Sequence, residues 1–448
     1  MRTVYNILFW AFFILSSPYY FMRMQRRGGW RAGFWERFGH YDASLKQALT
    51  NRHVLWIHAV SVGEVNLCTH LIRALEPRLP NLKIVVSCTT TTGMARYREL
   101  LPTRISKIYF PIDRRSVVSR AMATINPEAI VLLEAEIWPN FLWRAQRSKI
   151  PVFLTNARLS DRSYPRYRRF GFLFRPVFAS LAGVGCQNEE DATRLRAVGC
   201  RPEAVRVVGN MKFDAAKLSE QQSLDVRRIL RQLAVPSEAP ILVAGSTHPG
   251  EEAVVADMFR RLRGRFPDLF LILVPRHFER CREVGQILRE RGVKFVHRNE
   301  IYPTTQLEPG RADCLLVNTT GELRFFYQVA TVAFIGKSLT GVGGQNPIEP
   351  AALGKAVVLG PNMQNFADVV RLLLEKQAAI QVQTPGELEK AVGELLANAG
   401  RRAELGRRAQ AVVRENLGAI ERTMEMILKE LGPRGIYVAR EKNLPLPA

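Results

Sequence analysis

Short apolar runs alternate with helical stretches along most of the chain, and no other feature constrains the fold as strongly. Seven runs occupy the first half: HVLWIHAV, LKIVVSCTT, SKIYFP, AIVLLEAE, PVFLTNA, AGVGCQN and AVRVVGN. Seven more occupy the second half: PILVAGSTH, LFLILVPRH, VKFVHR, DCLLVNTT, TVAFIGKSL, KAVVLGP and AAIQVQT. Near-continuous apolar strands separated by helices indicate parallel sheets covered on both faces, with right-handed crossovers. The sequence therefore predicts an α/β fold with two Rossmann-like domains.

The alternation pauses between Asp214 and Ala239, where the chain is polar and carries one helical segment, LDVRRILRQL. The 448 residues are also too many for one ordinary core. We predict an N-terminal anchor (1–24), a first domain (25–214), a linker (215–238), a second domain (239–431) and a tail (432–448). Ligands of open α/β sheets bind beyond the carboxyl ends of the strands. The site residues should therefore follow the strands, in a cleft between two facing domains.

The first residues differ in composition from the rest. Twenty uncharged residues run from Thr3 to Met22, which is about the length that a membrane span needs. The arginines that follow are Arg23, Arg26, Arg27, Arg31 and Arg37. This order is the reverse of a cleaved signal peptide and places the rest of the chain in the cytoplasm. We predict an uncleaved membrane anchor. Asn6, Ser16, Ser17 and Pro18 weaken the span, so a helix lying in the membrane interface is the alternative.

A large positive charge predicts an anionic partner. The net charge is +23, from 64 Lys and Arg against 41 Asp and Glu, which suits nucleic acid, acidic lipid or a phosphorylated substrate. In one stretch arginines alternate with aromatic residues: Arg162, Tyr164, Arg166, Tyr167, Arg168, Arg169, Phe170, Phe172, Phe174 and Arg175. Such a mixture binds nucleic acid or an anionic membrane, and the predicted anchor favours the membrane. A helix face with its aromatic side chains packed inward is the third interpretation.

The cysteine and histidine patterns argue against disulfides and metal sites. The six cysteines are scattered without a CxxC pair, and several lie inside apolar runs. We therefore expect reduced core thiols in a cytoplasmic compartment. The seven histidines form no HExxH or HxxxH pair, so no metal site is predicted.

The string HAVSVGEV, residues 58–65, contains the first candidate for chemistry. Ser61 and Glu64 have the S-x-x-E spacing of a capping box, which opens a helix. A helix N-terminus favours an ionised carboxylate, which is the form that a general base needs. Both roles use the same oxygens, so a base at Glu64 should point into the cleft rather than back onto Ser61. Ser61 and Gly63 are possible substrate contacts beside it.

Two further acids end the apolar run AIVLLEAE. Glu134 and Glu136 are costly to bury unless they are paired. The string LTNARLSDRS offers partners at Asn156, Arg158 and Ser160. For each acid two roles remain open: contact with a donor or acceptor, and structural pairing with one of these three residues.

The second half offers polar groups after several strands. Ser246 and Thr247 suit either a phosphate at a helix N-terminus or a helix cap. Arg276 and His277 end a strand and suit either a phosphate or carboxylate contact or a surface salt bridge. The string GVGGQNPIEPAALG combines glycines at 341, 343 and 344, which permit close backbone approach, with polar Asn346 and Glu349 at a helix entry. This string looks like the nucleotide-sugar half of a GT-B glycosyltransferase.

Taken together, these strings resemble the Kdo transferases (3-deoxy-D-manno-octulosonic acid transferases) of lipopolysaccharide synthesis. The matching segments run in order from about residue 27 to residue 370, so they cover most of the chain. They are RRGGWRAGFWERFG, HAVSVGEV, SCTTTTGMA, EAEIWPN, LTNARLSDRS, CQNEEDATRLRAVG, VVGNMKFD, AGSTHPGEE, LVPRHFER, TGEL and GGQNPIEPAALGKAVVLGP.

The resemblance implies a GT-B fold and a glycosyltransferase that needs neither a cofactor nor a metal. The donor would be CMP-Kdo, and the acceptor would be the phosphorylated lipid A precursor, lipid IVA. Transfer would invert the anomeric configuration at the cytoplasmic face of the cell inner membrane. The partners implied are these two substrates and the anionic lipids of that membrane, with no nucleic acid.

The resemblance also assigns residues. The family's base maps onto Glu64, and its CMP contacts map onto Pro275, Arg276, Thr320, Gly321, Glu322, Asn346, Pro347, Ile348 and Glu349. Two departures are visible. Asn318, Thr319 and Thr320 stand where the family usually has Asp-Thr-Met, although Gly321 and Glu322 are kept. Lys337 stands where a glycine is common.

Three rival functions are compatible with parts of the sequence. Another GT-B enzyme, such as a lipid-linked UDP-sugar transferase, and a GT-B-shaped sugar-nucleotide epimerase both share the general fold. Neither explains HAVSVGE together with the anchor and the WERFG string that follows it. A membrane-tethered nucleic-acid binder would explain the +23 charge and predicts steeply salt-dependent affinity.

Overall fold

The structure, a computed structural model, describes residues 2–26, 31–216 and 224–439. Four parts of the predictions lie outside these residues: Met1, 27–30 of the first domain with Arg27 of the arginine cluster, 217–223 of the linker and 440–448 of the tail. The chain divides into two compact units. The first unit comprises residues 1–215 and 417–448, and the second comprises 216–416. The predicted cleft between facing domains stays a prediction.

The first unit is built on a seven-stranded sheet. Its strands are β1 (His53–His58), β2 (Leu82–Cys88), β3 (Ser106–Tyr109), β4 (Pro127–Leu133), β5 (Val152–Ala157), β6 (Gly183–Cys186) and β7 (Val205–Val207). They pair in parallel in the order β3-β2-β1-β4-β5-β6-β7. Strands β1 and β4 are neighbours although they are far apart in the chain. The strand order reverses between them, which is where ligands of such sheets bind.

Helices connect these strands. They are α1 (Arg2–Arg26), α2 (Ala43–Leu49), α3 (Val62–Arg78), α4 (Thr91–Leu100), α5 (Arg115–Ile125), α6 (Pro139–Arg147), α7 (Tyr164–Arg169), α8 (Gly171–Ala179) and α9 (Glu189–Ala197). The first core of the unit contains Val54 and Trp56 of β1, whereas a second core contains Leu55 and Ile57. Successive side chains of a strand point to opposite faces, so β1 is buried on both.

The second unit repeats this plan. Its strands are β8 (Ile241–Thr247), β9 (Phe270–Pro275), β10 (Phe295–His297), β11 (Cys314–Leu316), β12 (Val332–Ile335), β13 (Ala356–Leu359) and β14 (Ile380–Gln381). They pair in parallel in the order β10-β11-β9-β8-β12-β13-β14. Its helices are α10 (Val226–Gln232), α11 (Glu251–Arg263), α12 (Cys281–Glu290), α13 (Leu323–Val329), α14 (Ile348–Ala352), α15 (Ala367–Glu375), α16 (Pro385–Ala397) and α17 (Ala399–Glu415). The strand order reverses between β8 and β12.

Each of the fourteen apolar runs is a strand, which confirms the predicted fold class of two parallel α/β halves. The prediction succeeds because strands of a covered parallel sheet are buried on both faces and read as continuous apolar runs. The helical segment predicted before the second half is α10. The six cysteines are free and buried, as predicted. Burial raises the pKa of Cys68 to about 12, so this thiol packs as a small apolar group.

The last helix, α18 (Ala419–Leu431), belongs to the first unit, so the predicted second domain of 239–431 ends too late. Ile420, Ile427 and Leu431 lie in the core that contains Leu55 and Ile57. The carboxylate of Asp214 accepts hydrogen bonds from the N–H groups of Gly418 at 2.7 Å and Ile420 at 2.6 Å. The sequence could not show this, because an amphipathic helix fits either sheet.

Helix α1 is docked on the first unit by a buried polar cluster. The hydroxyl of Tyr5 donates to Asp113 Oδ2 at 2.7 Å, and Asn140 Nδ2 donates to Asn6 Oδ1 at 3.0 Å. Asp113 also accepts from the N–H groups of Asn140 and Phe141. These bonds satisfy a carboxylate that is 1% exposed.

Within the described part of the chain, no helix is long and apolar enough to cross a membrane. This finding does not support the predicted spanning anchor. The reason lies in the composition of α1, where Asn6, Ser16, Ser17 and four tyrosine or tryptophan residues lower the mean hydropathy. Part of the helix also contacts protein, whereas Leu8, Phe12 and Leu15 are exposed.

We expect Asp214→Ala to lower the free energy of unfolding by about 2 kcal/mol, because it leaves two buried N–H groups at the start of α18 without acceptors. Asp214 itself is 8% exposed, so water cannot replace the carboxylate easily. Urea unfolding followed by circular dichroism measures the change. The control is Asp225→Ala, which removes the cap of α10 at an exposed site and should cost about 1 kcal/mol or less. Equal effects of the two substitutions would contradict the role of Asp214.

Candidate functional site

The reversal of strand order in the first sheet brings three acids together. Glu64 follows β1 in the first turn of α3, and Glu134 and Glu136 follow β4. Their charges act on one another, since both Glu134 and Glu64 raise the pKa of Glu136 and Glu134 raises that of Glu64. We call Glu64, Glu134 and Glu136 the carboxylate cluster. It lies at the carboxyl edge of the sheet, where a ligand site was expected.

Glu64 forms the capping box that its spacing predicts. Ser61 Oγ accepts a hydrogen bond from Glu64 N at 3.2 Å and donates to Glu64 Oε1 at 2.7 Å. Ser61 N also donates to Oε1, at 3.3 Å, and Val60 N donates to Oε2 at 2.9 Å. The expectation that this carboxylate turns away from Ser61 is therefore wrong. A carboxylate that is only 9% exposed needs these donors to stay in place.

The capping box leaves Glu64 with acceptor capacity. Each carboxylate oxygen can accept two hydrogen bonds, and among the described residues Oε2 accepts only that from Val60. Burial raises the pKa of Glu64, the charge of Glu134 raises it further, and the bonds from Val60 and Ser61 oppose the rise. Capping and proton acceptance are thus compatible, through different lone pairs of the same carboxylate.

The peptide unit that donates to Glu64 is itself held from the other side. The carbonyl oxygen of Val60 accepts from Thr90 Oγ1 at 2.8 Å and from Cys88 Sγ at 3.2 Å. Gly93 N donates to Thr90 Oγ1, and a Cβ at Gly93 would lie 2.3 Å from Cys88 Sγ. Only glycine fits there. The sequence did not single out Cys88 or Thr90, although both lie in the string SCTTTTGMA.

Glu134 occupies a strained position. Its φ of +55° lies in the left-handed region, which a non-glycine residue enters at a cost. Its Oε2 lies 3.8 Å from Arg158 Nε, so the predicted pairing with Arg158 forms. Asn156 and Ser160 do not pair with the acids: Asn156 Oδ1 accepts from Met211 N, and Ser160 bonds Ser163.

Glu136 is held beside two rings. Trp138 Nε1 donates to its Oε2 at 2.8 Å, and His58 Nε2 lies 3.9 Å from the same oxygen. Burial raises the pKa of Glu136 to about 7, with smaller contributions from the charges of Glu64 and Glu134. Near neutral pH this acid is therefore protonated in a substantial fraction of molecules.

His58 was missed by the sequence reasoning, although a histidine that ends an apolar strand could have drawn attention. It is fully buried, stacks on Phe110 at 3.8 Å, and has its pKa lowered to about 3 by burial, so its ring is neutral. Its Nδ1 lies 3.1 Å from the carbonyl oxygen of Ser87, which can only accept, so Nδ1 carries the hydrogen. This leaves Nε2 as an acceptor, and within the described residues no donor reaches it.

In the second unit, Ser246 and Thr247 are the last residues of β8 rather than helix caps. Gly250 is the N-cap of α11 and offers no side chain. Thr247 is fully buried, and its hydroxyl has no hydrogen-bond partner among the described residues. The cap interpretation is therefore wrong, and the phosphate interpretation stays a prediction.

The residues after β9 are exposed. Pro275 ends the strand, and the side chains of Arg276 and His277 are open to solvent. Neither forms an ion pair with the described residues, so the salt-bridge alternative is not supported. Arg276 lies close enough to Glu349 for its charge to lower the pKa of that acid.

The segment after β11 is held in place by side-chain hydrogen bonds and one ion pair. Asn318 exchanges two hydrogen bonds with Asn299: its Oδ1 accepts from Asn299 N at 3.0 Å and its Nδ2 donates to Asn299 Oδ1 at 2.7 Å. An Asp at 318 could make only the first. Glu322 accepts from Thr319 Oγ1 and pairs with Arg298, whose Nε lies 3.1 Å from Oε2. Thr320 and Gly321 lie between these anchored residues.

The residues before α14 form a compact turn. Asn346 Oδ1 accepts from Ile348 N at 3.0 Å, and Asn346 Nδ2 donates to Glu349 Oε1 at 3.1 Å. Pro347 is the N-cap of this short helix. Burial raises the pKa of Glu349, while Asn346, Arg324 and Arg276 oppose the rise. The predicted groups after β9 and β12 therefore lie close together, at the carboxyl edge of the second sheet.

The stretch of arginines and aromatics forms α7 and α8. Tyr164, Tyr167 and Phe174 pack against the first core, as the inward-packing interpretation predicts. Phe170 and Phe172 are exposed, at 46% and 61%. The stretch therefore has an inward aromatic side, which confirms the inward-packing interpretation, and an exposed side where Phe170 and Phe172 lie among arginines. Binding of the exposed side to a membrane or to nucleic acid stays a prediction.

Comparison with known proteins places these sites in context. The sequence profile of a family described as 3-deoxy-D-manno-octulosonic-acid transferase (kdotransferase) matches residues 32–215. A 3-deoxy-D-manno-octulosonic acid transferase of Haemophilus influenzae is 31% identical over 92% of this chain and 92% of its own. One of Bordetella pertussis is 32% identical over 93% of this chain and 97% of its own.

A solved structure of similar architecture is the UDP-GlcNAc 2-epimerase from Neisseria meningitidis bound to UDP-GlcNAc. It has a TM-score of 0.56 and 12% identity, and the match covers 85% of this chain and 100% of the epimerase chain. At this identity the likeness shows the fold alone. That fold is GT-B-like, with two parallel α/β sheets.

We expect Glu136→Gln to stabilise the protein more at pH 8 than at pH 4. The raised pKa means that folding favours the protonated acid. In the wild type, the stability that this acid contributes is fully present below pH 4.5 and is lost as the pH rises through about 7. Glutamine cannot ionise, and the variant should therefore gain up to about 3 kcal/mol relative to the wild type across this range. Urea unfolding at the two pH values measures the difference.

The matched control is Glu99→Gln, which removes an exposed acid paired with Arg96. Its effect should stay below about 0.5 kcal/mol at both pH values. A change in the free energy of unfolding of Glu136→Gln that is as small as the control's and equal at both pH values would contradict the prediction. It would show that folding does not raise the pKa of Glu136.

Proposed function

The chain belongs to the 3-deoxy-D-manno-octulosonic-acid (Kdo) transferase family, and we propose that it transfers Kdo from CMP-Kdo to the phosphorylated lipid A precursor, lipid IVA. As a member of this family it is a glycosyltransferase of lipopolysaccharide synthesis. One observation supports the finer proposal. The partly desolvated carboxylate of Glu64 lies where the strand order of the first sheet reverses, in the motif onto which the family's base maps.

Glu64 acts as the general base. As an acceptor hydroxyl approaches the anomeric carbon of Kdo, its proton passes to the free lone pair of Glu64 Oε2 while the new C–O bond forms. The raised pKa of Glu64 makes this proton transfer more favourable than to an ordinary carboxylate. Protonation also removes the repulsion between Glu64 and Glu134. Attack from the face opposite the nucleotide inverts the configuration.

The donor binds in the second unit. CMP leaves as a phosphate monoester with an additional negative charge when its bond to the anomeric carbon breaks. Arg276 supplies a guanidinium for that charge and is available because it has no ion pair among the described residues. Pro275, Thr320 to Glu322 and Asn346 to Glu349 line the same edge, and the carboxylate of Glu349 suits sugar hydroxyls. Transfer needs no metal in this scheme.

The acceptor is a lipid, so the enzyme works at the cytoplasmic face of the inner membrane. We infer that α1 lies in the membrane interface through its exposed apolar side chains. Leu8, Phe12 and Leu15 are 60%, 61% and 82% exposed. The exposed side chains of Phe170 and Phe172, with their neighbouring arginines, suit anionic headgroups and the phosphates of the acceptor.

We expect Glu64→Gln to abolish Kdo transfer while the protein still folds and binds CMP. An amide cannot accept the proton, and loss of a general base costs about 100-fold or more in rate. Mass spectrometry of lipid IVA incubated with CMP-Kdo measures transfer, and calorimetry measures CMP binding. Near-normal transfer by the variant would contradict the base assignment. Transfer from UDP-sugars but not from CMP-Kdo by the wild type would contradict the donor.

Glu134→Gln is the matched control. It removes a neighbouring charge, keeps a polar side chain, and so lowers the pKa of Glu64. Because transfer requires ionised Glu64, activity falls on the acidic side of its pKa. The acidic limb of the pH profile should therefore move to lower pH in this variant. A limb that stays in place would show that another group controls it.

The combined substitution Phe12→Glu and Leu15→Glu should weaken binding to phosphatidylglycerol vesicles by at least about tenfold. Each apolar side chain that enters the interface contributes about 1.5 kcal/mol or more. Co-sedimentation with vesicles measures the binding. The control is Tyr302→Glu, at a side chain of the second unit that is 64% exposed. Equal vesicle binding by the double variant and the wild type would exclude α1 from the interface.

A further inference from the structure

The loop after β12 places a lysine in an unusual backbone conformation. Lys337 has a φ of +56°, in the left-handed region where glycine is favoured. A side chain in this conformation is strained. A lysine held there therefore needs a reason.

The backbone around Lys337 is fixed by a buried acid. Glu251, the first residue of α11, is 0% exposed and accepts four backbone hydrogen bonds. The donors are the N–H groups of His248, Lys337, Ser338 and Leu339, at 3.0, 2.7, 2.9 and 2.9 Å. Four bonds fill the acceptor positions of a carboxylate. Glu251 therefore holds the loops after β8 and β12 together and has no oxygen left for the ammonium of Lys337.

The side chain of Lys337 runs along the start of the glycine-rich segment. A Cβ at Gly341 would lie 3.0 Å from Lys337 Cγ, so Gly341 leaves room for it. Lys337 is half-buried, and its ammonium forms no ion pair with the described residues. Since the oxygens of Glu251 are taken by backbone N–H groups, this ammonium is suited to an anionic ligand.

A pair of histidines lies at the same edge, and one of them, His248, is within electrostatic range of Lys337. His248 Nδ1 lies 3.2 Å from the carbonyl oxygen of Ser246, which orients the ring. The rings of His248 and His277 are 6.0 Å apart. Burial lowers the pKa of His248, and the charge of Lys337 lowers it further. The loops after β8, β9 and β12 thus bring together three nitrogen-bearing side chains at the edge where the second sheet reverses its order. That edge is where ligands of such sheets bind.

The chemistry of the transferred sugar supplies the anion. An octulosonic acid carries a carboxylate at neutral pH, so its CMP ester presents two negative groups, the phosphate and the sugar carboxylate. Arg276 is assigned to the phosphate. We propose that Lys337, together with His248 and His277, forms a subsite for the carboxylate of the transferred sugar acid. This inference rests on the proposed function and assigns a further contact to its donor.

Calorimetry on the full chain tests the subsite, with CMP and CMP-Kdo as the two probes and no acceptor present. In Lys337→Met the Kd for CMP-Kdo should rise about 10- to 100-fold, the equivalent of one charge-assisted hydrogen bond. The Kd for CMP should change less than about twofold. Lys337→Arg should restore most of the affinity for CMP-Kdo. The control Lys355→Met removes a lysine charge just before β13, at the opposite end of the sheet, and should change neither constant.

Three results would overturn the proposal. A parallel rise of both constants in Lys337→Met would assign the lysine to the phosphate, and unchanged constants would make it a surface residue. If the wild type binds CMP but not CMP-Kdo, the proposed donor and the subsite both fail. The subsite alone fails when the wild type binds both probes and Lys337→Met binds each probe with the same Kd as the wild type. Thermal unfolding of each variant checks that the loop still folds.

Discussion

Both sheets are parallel throughout and are covered by helices on both faces, and the placement of the buried charged groups follows from this burial. A strand such as β1 has no solvent-facing side, so its interior positions hold only apolar side chains. Among the described residues, the buried acids therefore lie beyond the strand ends: Glu64, Asp191, Glu251 and Glu252 are in the first turns of helices, and Asp113 and Asp214 are in connecting segments. The reversal of strand order then selects which ends meet, and the carboxylate cluster and the Lys337 loop lie at these two points.

Desolvation gives the carboxylate cluster its chemical character. Burial and mutual repulsion favour the protonated acids, whereas the hydrogen bonds from Val60, Ser61 and Trp138 favour the ionised forms. Glu64 has the larger set of donors and Glu136 has one. This inequality suits a site in which one acid accepts a proton while its neighbour carries one. Glu251 differs from these acids, because four backbone N–H groups occupy its acceptor positions. It has no oxygen left to accept a proton or a ligand.

The strands and the capping box at Glu64 could be predicted from the sequence, because each depends on residues close together in the chain. The direction of the Glu64 carboxylate could not be predicted. The cost of its burial depends on the hydrogen bond from Val60 and on the carboxylate cluster, which forms only when the chain is folded. The docking of Tyr5 onto Asp113 and the packing of α18 on the first unit depend on partners far apart in the chain. Likewise, only the assembled sheet shows that His58 Nε2 has no hydrogen-bond donor among the described residues.

The return of α18 to the first unit has a consequence for synthesis. A ribosome makes the first sheet early, but the core around Leu55 and Ile57 lacks Ile420, Ile427 and Leu431 until the last helix emerges. The second unit, residues 216–416, is complete before then and is in effect inserted into the first. The two units therefore finish folding in the reverse of their order in the chain. During that interval the nascent first unit exposes an apolar face that chaperones recognise.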